Sequence, residues 1–228
     1  MFLNLGGGVC PVRARTWVFG VALAFFLCLG LHPGHGAEPA TKRVYHASVL
    51  NGAILGSAFM ITDGLVVTNA HVLAGRPTGD TVTLIAPSGR RVTAHIEAVS
   101  TQMDLAVMTL KGRHLPVVPP PSKRTTRGSA IVAVGIVASH GRPRQRVLIG
   151  GVVSSDNHAL EPFGRGIIAR MPLVQRGFSG GPVFDRQGGL VGMVAALRPA
   201  GVSPSGQREA FILTAADITA EVGRLMAR

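Results

Sequence analysis

Cysteine is almost missing from this chain. Only Cys10 and Cys28 occur among 228 residues, and both lie in the first 36. If that segment is removed, the remainder has no disulfide, no thiolate metal site and no cysteine nucleophile. Its stability must then come from its core. Histidine and acid patterns that bind catalytic metals are also missing: there is no H-E-x-x-H and no cluster of acids. No metal and no cofactor is expected.

Aromatic residues and acids are scarce too. Beyond residue 36 only Tyr45 and the phenylalanines 59, 163, 178, 184 and 211 remain. Lys and Arg number 23 against 11 acids, for a net charge of +12. The bases gather in KGRH (111–114), SKRTTR (122–127) and GRPRQR (141–146). A nucleic-acid reader pairs such charge with stacking platforms, and these loops have none. The charge reads as a solvated surface suited to anionic envelope polymers, lipid headgroups or acidic protein segments, not to nucleic acid.

One long apolar run exists. Arg13 and Arg15 precede WVFGVALAFFLCLGL (17–31), and HPGHGAEPA follows. Basic, apolar and small segments in that order predict a secretory signal over residues 1–36, cut at Gly36–Ala37, and a protein exported to the periplasm or medium. A retained membrane anchor is the alternative, though the run is shorter than the roughly 20 residues of a span. Phe-Phe-Leu before Cys28 is too bulky for a lipoprotein signal.

After Arg43 the pattern is short and extended. VYHASVL, GSAFMITDG, LVVTNAHVL, RVTAHIEAV, DLAVMTL, AIVAVGIV, GLVGMVAAL and AFILT are among a dozen strand-like runs, separated by turn formers. This spacing predicts an all-β sandwich or barrel. Helical periodicity appears only near the end, where Thr214 or Asp217 would cap a helix over about 214–227 bearing Ile218, Val222 and Leu225. Prolines bar residues 115–127 from a central strand. They predict a linker between β halves at about 45–114 and 128–212 within one 37–228 domain.

QRGFSGGPVFD (175–185) surrounds Ser179 with glycines. Such a turn is either a plain connection between strands or a mount for a nucleophile with backbone donors beside it. The same residues fit the G-x-S-x-G elbow of α/β-hydrolases, but that fold has its histidine after the serine, and no histidine follows Ser179. Among the earlier histidines, His71 stands at the end of the apolar strand in LVVTNAHVLAG. Among the intervening acids, Asp104 heads the apolar strand DLAVMTL. A carboxylate at a core edge needs a donor.

With histidine, aspartate and serine in that order, the chain resembles the trypsin-like serine proteases, most closely their bacterial HtrA/Deg-type branch. GSAFMITDGLVVTNAHVLAG is similar to the histidine segment, STQMDLAVMTL to the aspartate segment, and RGFSGGPVFDRQGGLVGMVAA to the serine segment. The resemblance covers nearly all of residues 45–225. It implies two six-stranded antiparallel β-barrels with a C-terminal helix and a cleft between the barrels. It implies a triad of His71, Asp104 and Ser179, and an oxyanion hole from the N–H groups of Gly177 and Ser179. It places Leu173 at the base of the specificity pocket, with Val194, Ala195 and Ala196 as its wall, for a small-to-medium apolar residue. Unfolded proteins or peptides are the implied substrates, and a homo-oligomer is compatible. The 49 residues after Ser179 suit the end of a barrel and a helix, with no room for the PDZ domain usual in that branch.

One residue departs from the pattern. Phe178 stands where digestive relatives carry an aspartate that pairs with a new N-terminus. A phenyl ring has no charge for such a terminus, so activation by that ion pair is not expected. Phe178 would anchor its loop by burial. Otherwise the hole is poorly formed and the protein is an inactive, protease-like binding module of the envelope.

Overall fold

The computed structural model of the chain describes residues 46–227 apart from 53, 113, 140 and 141. The expected signal segment, its cleavage point and both cysteines lie outside the described residues.

Strands β1 (His46–Asn51), β2 (Ile54–Thr62), β3 (Leu65–Thr68), β4 (Thr81–Ile85), β5 (Arg91–Val99) and β6 (Ala106–Leu110) close into a barrel in the order β1-β2-β3-β6-β5-β4. Strands β7 (Ala130–Ser139), β8 (Arg142–Leu160), β9 (Gly164–Arg170), β10 (Pro182–Asp185), β11 (Leu190–Arg198) and β12 (Glu209–Thr214) close a second, in the order β10-β11-β12-β9-β8-β7. Every pairing between these strands is antiparallel. Closure leaves neither sheet an open edge for another chain to extend.

Side-chain alternation explains the strands locally. In β5, Val92, Ala94 and Ile96 are buried while Arg91, Thr93, His95 and Glu97 are exposed. Such a sequence covers one face of a pleated surface and wets the other. Val49, Met60, Leu84, Ile96 and Met108 fill the first barrel. Ile131, Ile149, Met171, Phe178 and Ile212 belong to the second. A third apolar cluster combines Phe59, Val67 and Val107 of the first barrel with Phe184, Met193 and Phe211 of the second. Burial of this shared layer holds the barrels together.

The linker is pinned to both barrels. Val118 N–H donates to the Met60 carbonyl at 2.9 Å, and Ser122 N–H to the Leu190 carbonyl at 2.7 Å. The final helix α1 (Ala215–Met226) starts where the Thr214 hydroxyl accepts the Asp217 N–H at 3.1 Å. Ala215, Ile218, Val222 and Leu225 of α1 enter the third cluster. Among the described residues, no helix is long and apolar enough to cross a membrane.

Candidate active site

Strand β3 delivers the histidine. Its end runs through Asn69 into one 3-10 turn, Ala70–Leu73. Val72 and Leu73 are buried in the first barrel, which anchors the turn, while the His71 side chain keeps 44% of its surface in solvent. Asn69 is fully buried, and its side-chain amide donates to the Asp104 carbonyl at 2.9 Å. The histidine turn and the aspartate turn are thereby joined.

Asp104 sits just before β6 and is 7% exposed. One carboxylate oxygen accepts the His71 backbone N–H at 3.0 Å, and the other lies 2.7 Å from His71 Nδ1. A carboxylate only accepts, so this contact puts the imidazole proton on Nδ1 and leaves the Nε2 lone pair outward. Two bonds to one residue also fix the ring's direction.

The serine segment belongs to the second barrel but is held by the first. Ser57 of β2 donates its N–H to the Ser179 carbonyl at 2.7 Å and its hydroxyl to the Gly177 carbonyl at 2.8 Å. The Ser57 carbonyl in turn accepts the Thr68 hydroxyl at 2.8 Å. So close an approach explains two glycines. Gly180 has φ +80°, and a Cβ there would lie 1.9 Å from the Ser57 oxygen. Gly177 has φ +99°, and its Cβ would lie 1.9 Å from the Ile136 oxygen. No other residue type fits either place. Among the described residues, the amide N–H groups of Gly177 and Ser179 donate no hydrogen bond.

Phe178 between them is fully buried. Its ring lies over Gly135 of β7, where an added Cβ would come within 2.5 Å of the ring. The missing side chain at 135 is the space that the phenyl ring fills. Burial of such a ring contributes about 1.5–3 kcal/mol.

His71, Asp104 and Ser179 line one cavity of about 780 Å³ between the barrels, with Phe163, Ala195 and Ala196 also in its wall. Of the pocket residues expected from sequence, Ala195 and Ala196 line this cavity, while Leu173 and Val194 do not. Leu173 is 70% exposed and outside this lining, because the loop after β9 turns its side chain to solvent. Val194 is fully buried in the second barrel core, and its N–H and carbonyl bond Gly181 and Gly180. The register of β11 against β12 shifts between Val194 and Ala196. That bulge at Ala195 offsets the wall, so Ala195, Ala196 and Leu197 face the cavity. Among the described residues no group of three or more His, Cys, Asp or Glu could hold a metal ion.

Sequence reasoning also missed Ser57, Phe163 and Leu197. Ser57 and Phe163 each make a contact between segments far apart in the chain, which no local pattern announces, and Leu197 continues the β11 wall one residue further than expected. For Ser57 and Gly177 the separation is 120 residues.

Residues 56–193 match the family described as "Trypsin-like peptidase domain". The chain is 28% identical over 202 residues to the mitochondrial serine protease HTRA2 of Bos taurus, covering 84% of this chain and 40% of that protein. It is 32% identical over 148 residues to a Halomonas elongata protein named "Probable periplasmic serine endoprotease DegP-like", covering 61% and 28%. It is 27% identical over 200 residues to the serine protease Rv3671c of Mycobacterium tuberculosis, covering 82% and 46%. The chain thus spans less than half the length of each of these relatives. Among solved structures, an inactive form of Rv3671c with serine replaced by alanine superposes with a TM-score of 0.66 at 19% identity, covering 86% of this chain and 94% of that one. The serine endoprotease of Yersinia pestis gives 0.66 at 22% identity, covering 82% and 65%. These two likenesses bear on the fold, a chymotrypsin-like pair of barrels. Since the family match runs over more than half of the residues, the protein belongs to the trypsin-like peptidase domain family.

Proposed function

We propose that the protein is a serine endopeptidase in which Ser179 is the nucleophile, His71 its base and Asp104 the group that orients the base. The observation that carries this reading is the two-bond hold of Asp104 on His71 in a cavity that Ser179 also lines. The Ser179 hydroxyl attacks the substrate carbonyl, and its proton passes to His71 Nε2. Asp104 stabilises the imidazolium that forms. The tetrahedral oxyanion is met by the Gly177 and Ser179 N–H groups. His71 returns the proton to the departing amine, and water then cleaves the acyl-enzyme by the same steps in reverse.

Phe178 bears on the rival reading, an inactive binding module. That reading needs a loosely held serine loop. Instead, a buried ring on one side and Ser57 on the other support a loop fixed before substrate arrives. Unfolded proteins or peptides are the proposed substrates. Export is proposed from the Arg-flanked apolar segment and from the periplasmic DegP-like relative.

A fluorophosphonate probe separates the two readings. The purified protein should react at Ser179 and hydrolyse casein, and Ser179→Ala should do neither while keeping its circular dichroism spectrum. An unlabelled, folded wild-type chain would favour the binding module. N-terminal sequencing of exported protein should find a start near Ala37, and a retained Met1 would count against export by cleavage.

A further inference from the structure

A second cavity, of about 550 Å³, borders the end of β11. Leu197, Arg198 and Pro199 line both it and the cavity of Ser179. Its opposite wall is Val174–Arg176, the residues that lead directly into Gly177. Arg208 completes a lining with three arginines and no carboxylate.

The three guanidinium groups differ in their commitments. Arg198 is matched: its Nη1 lies 3.2 Å from Glu209 Oε2, and Glu209 is 5% exposed. Ser205 donates to the other Glu209 oxygen at 2.8 Å, which occupies that carboxylate further. Arg208 spends one donor on the Val174 carbonyl at 3.2 Å, which tethers it to the loop. A guanidinium has five donors, so most of this one stays available. Arg176 is exposed, and no acid pairs with it among the described residues. Three cations facing one acid leave the slot positively charged.

We propose that this slot takes an acidic side chain of the substrate, an Asp or Glu next to the scissile bond on its acyl side. The inference rests on the proposed catalytic reading, because it places the scissile carbonyl at the Gly177 and Ser179 amides. Arg176 is the residue before Gly177, so a side chain leaving the attacked carbonyl on that side meets the arginine-lined wall. A planar guanidinium matches a carboxylate with two parallel hydrogen bonds. The carboxylate of the substrate supplies the counter-charge that the lining lacks. This replaces the small apolar preference expected from sequence.

The test uses fluorescent peptides that differ at one position, Glu, Gln or Ala, bound to the Ser179→Ala chain and followed by anisotropy. The Glu peptide should bind roughly tenfold more tightly than the Gln peptide, as a charge-assisted bond predicts. Arg176→Gln and Arg208→Gln should each erase most of that ratio. Arg176→Gln removes an exposed side chain, so it remains informative if Arg208→Gln folds poorly. Lys123→Gln with Arg124→Gln, in a distant basic loop, should leave the ratio intact. With the active chain, the same preference should appear in kcat/KM. Equal binding of Glu and Gln peptides overturns the proposal, as does a ratio that depends on Lys123 and Arg124. Because binding is read without turnover, the slot and the catalytic reading fail separately. Probe labelling without acid preference rejects the slot alone, and acid preference in a chain that never labels rejects the hydrolase alone.

Discussion

The ring of Phe163 stands edge-on to the imidazole of His71, with centroids 6.3 Å apart and planes at 86°. The Phe163 carbonyl also accepts the Asp104 N–H at 3.2 Å. One residue at the tip of the β8–β9 hairpin, in the second barrel, therefore touches both a histidine and an aspartate carried by the first. An aromatic edge contact contributes about 0.5–1.5 kcal/mol. Phe163→Ala should lower kcat up to roughly tenfold with KM changed less, and Phe163→Tyr should restore most of it. An unchanged kcat in Phe163→Ala would show that the ring does not position His71.

Phe178 and Gly135 share one volume, so their substitutions should couple. Gly135→Ala alone should cost about 1–3 kcal/mol of stability, because its Cβ enters the phenyl ring's space. Phe178→Ala alone should cost about 3–5 kcal/mol and, by loosening the Gly177 donor, lower kcat by roughly 10²–10³. The double variant should be more stable than the sum of the two losses implies. Urea denaturation measures the cycle, and strict additivity would contradict the packing described. Wild-type enzyme should need no activating cut beyond the proposed removal of residues 1–36, which mass spectrometry of active protein checks.

Helix α1 reaches the aspartate turn through a buried acid. Glu221, 4% exposed, accepts from the Ser100 hydroxyl and from Arg224. The Ser100 oxygen also accepts the Gln102 and Met103 N–H groups at 3.0 and 3.2 Å, which shapes the turn that ends at Asp104. Glu221→Ala should cost about 2 kcal/mol and reduce casein turnover as well as stability. A stability loss with full turnover would confine Glu221 to anchoring the helix.

Thr214→Ala removes the N-cap of α1 and should cost about 1 kcal/mol, with Thr214→Ser close to wild type. Thermal unfolding of the three proteins is the check.

Local pattern reached far into this molecule. Strands appear where Val, Ile and Thr alternate with polar residues, as in β5, and α1 starts at one of the two caps that the sequence offers. His71 and Asp104 stood out because each ends or begins an apolar strand, and Ser179 because glycines surround it. The fold brings the three to one cavity, and their catalytic roles are the ones proposed above. The exposure of Leu173 follows from the path of a loop, which sequence spacing does not define. The burial of Val194 beside the cavity wall goes with a single extra residue in β11, which changes which side chains face the cavity and which local pattern does not show. Ser57 and Phe163 were invisible for a different reason. A serine in a strand and a phenylalanine in a turn carry no signal until the barrels meet.

The bridge from Ser57 to Gly177 and Ser179 makes the position of Ser179, the proposed nucleophile, a property of the pair of barrels. If the barrels part, the serine segment loses two hydrogen bonds together, and the shared apolar layer opens with them. Partial opening should then abolish activity before either barrel melts, so inactivation by denaturant would precede the loss of β-sheet signal. Within this fold the site behaves as a gauge of closure between its two halves.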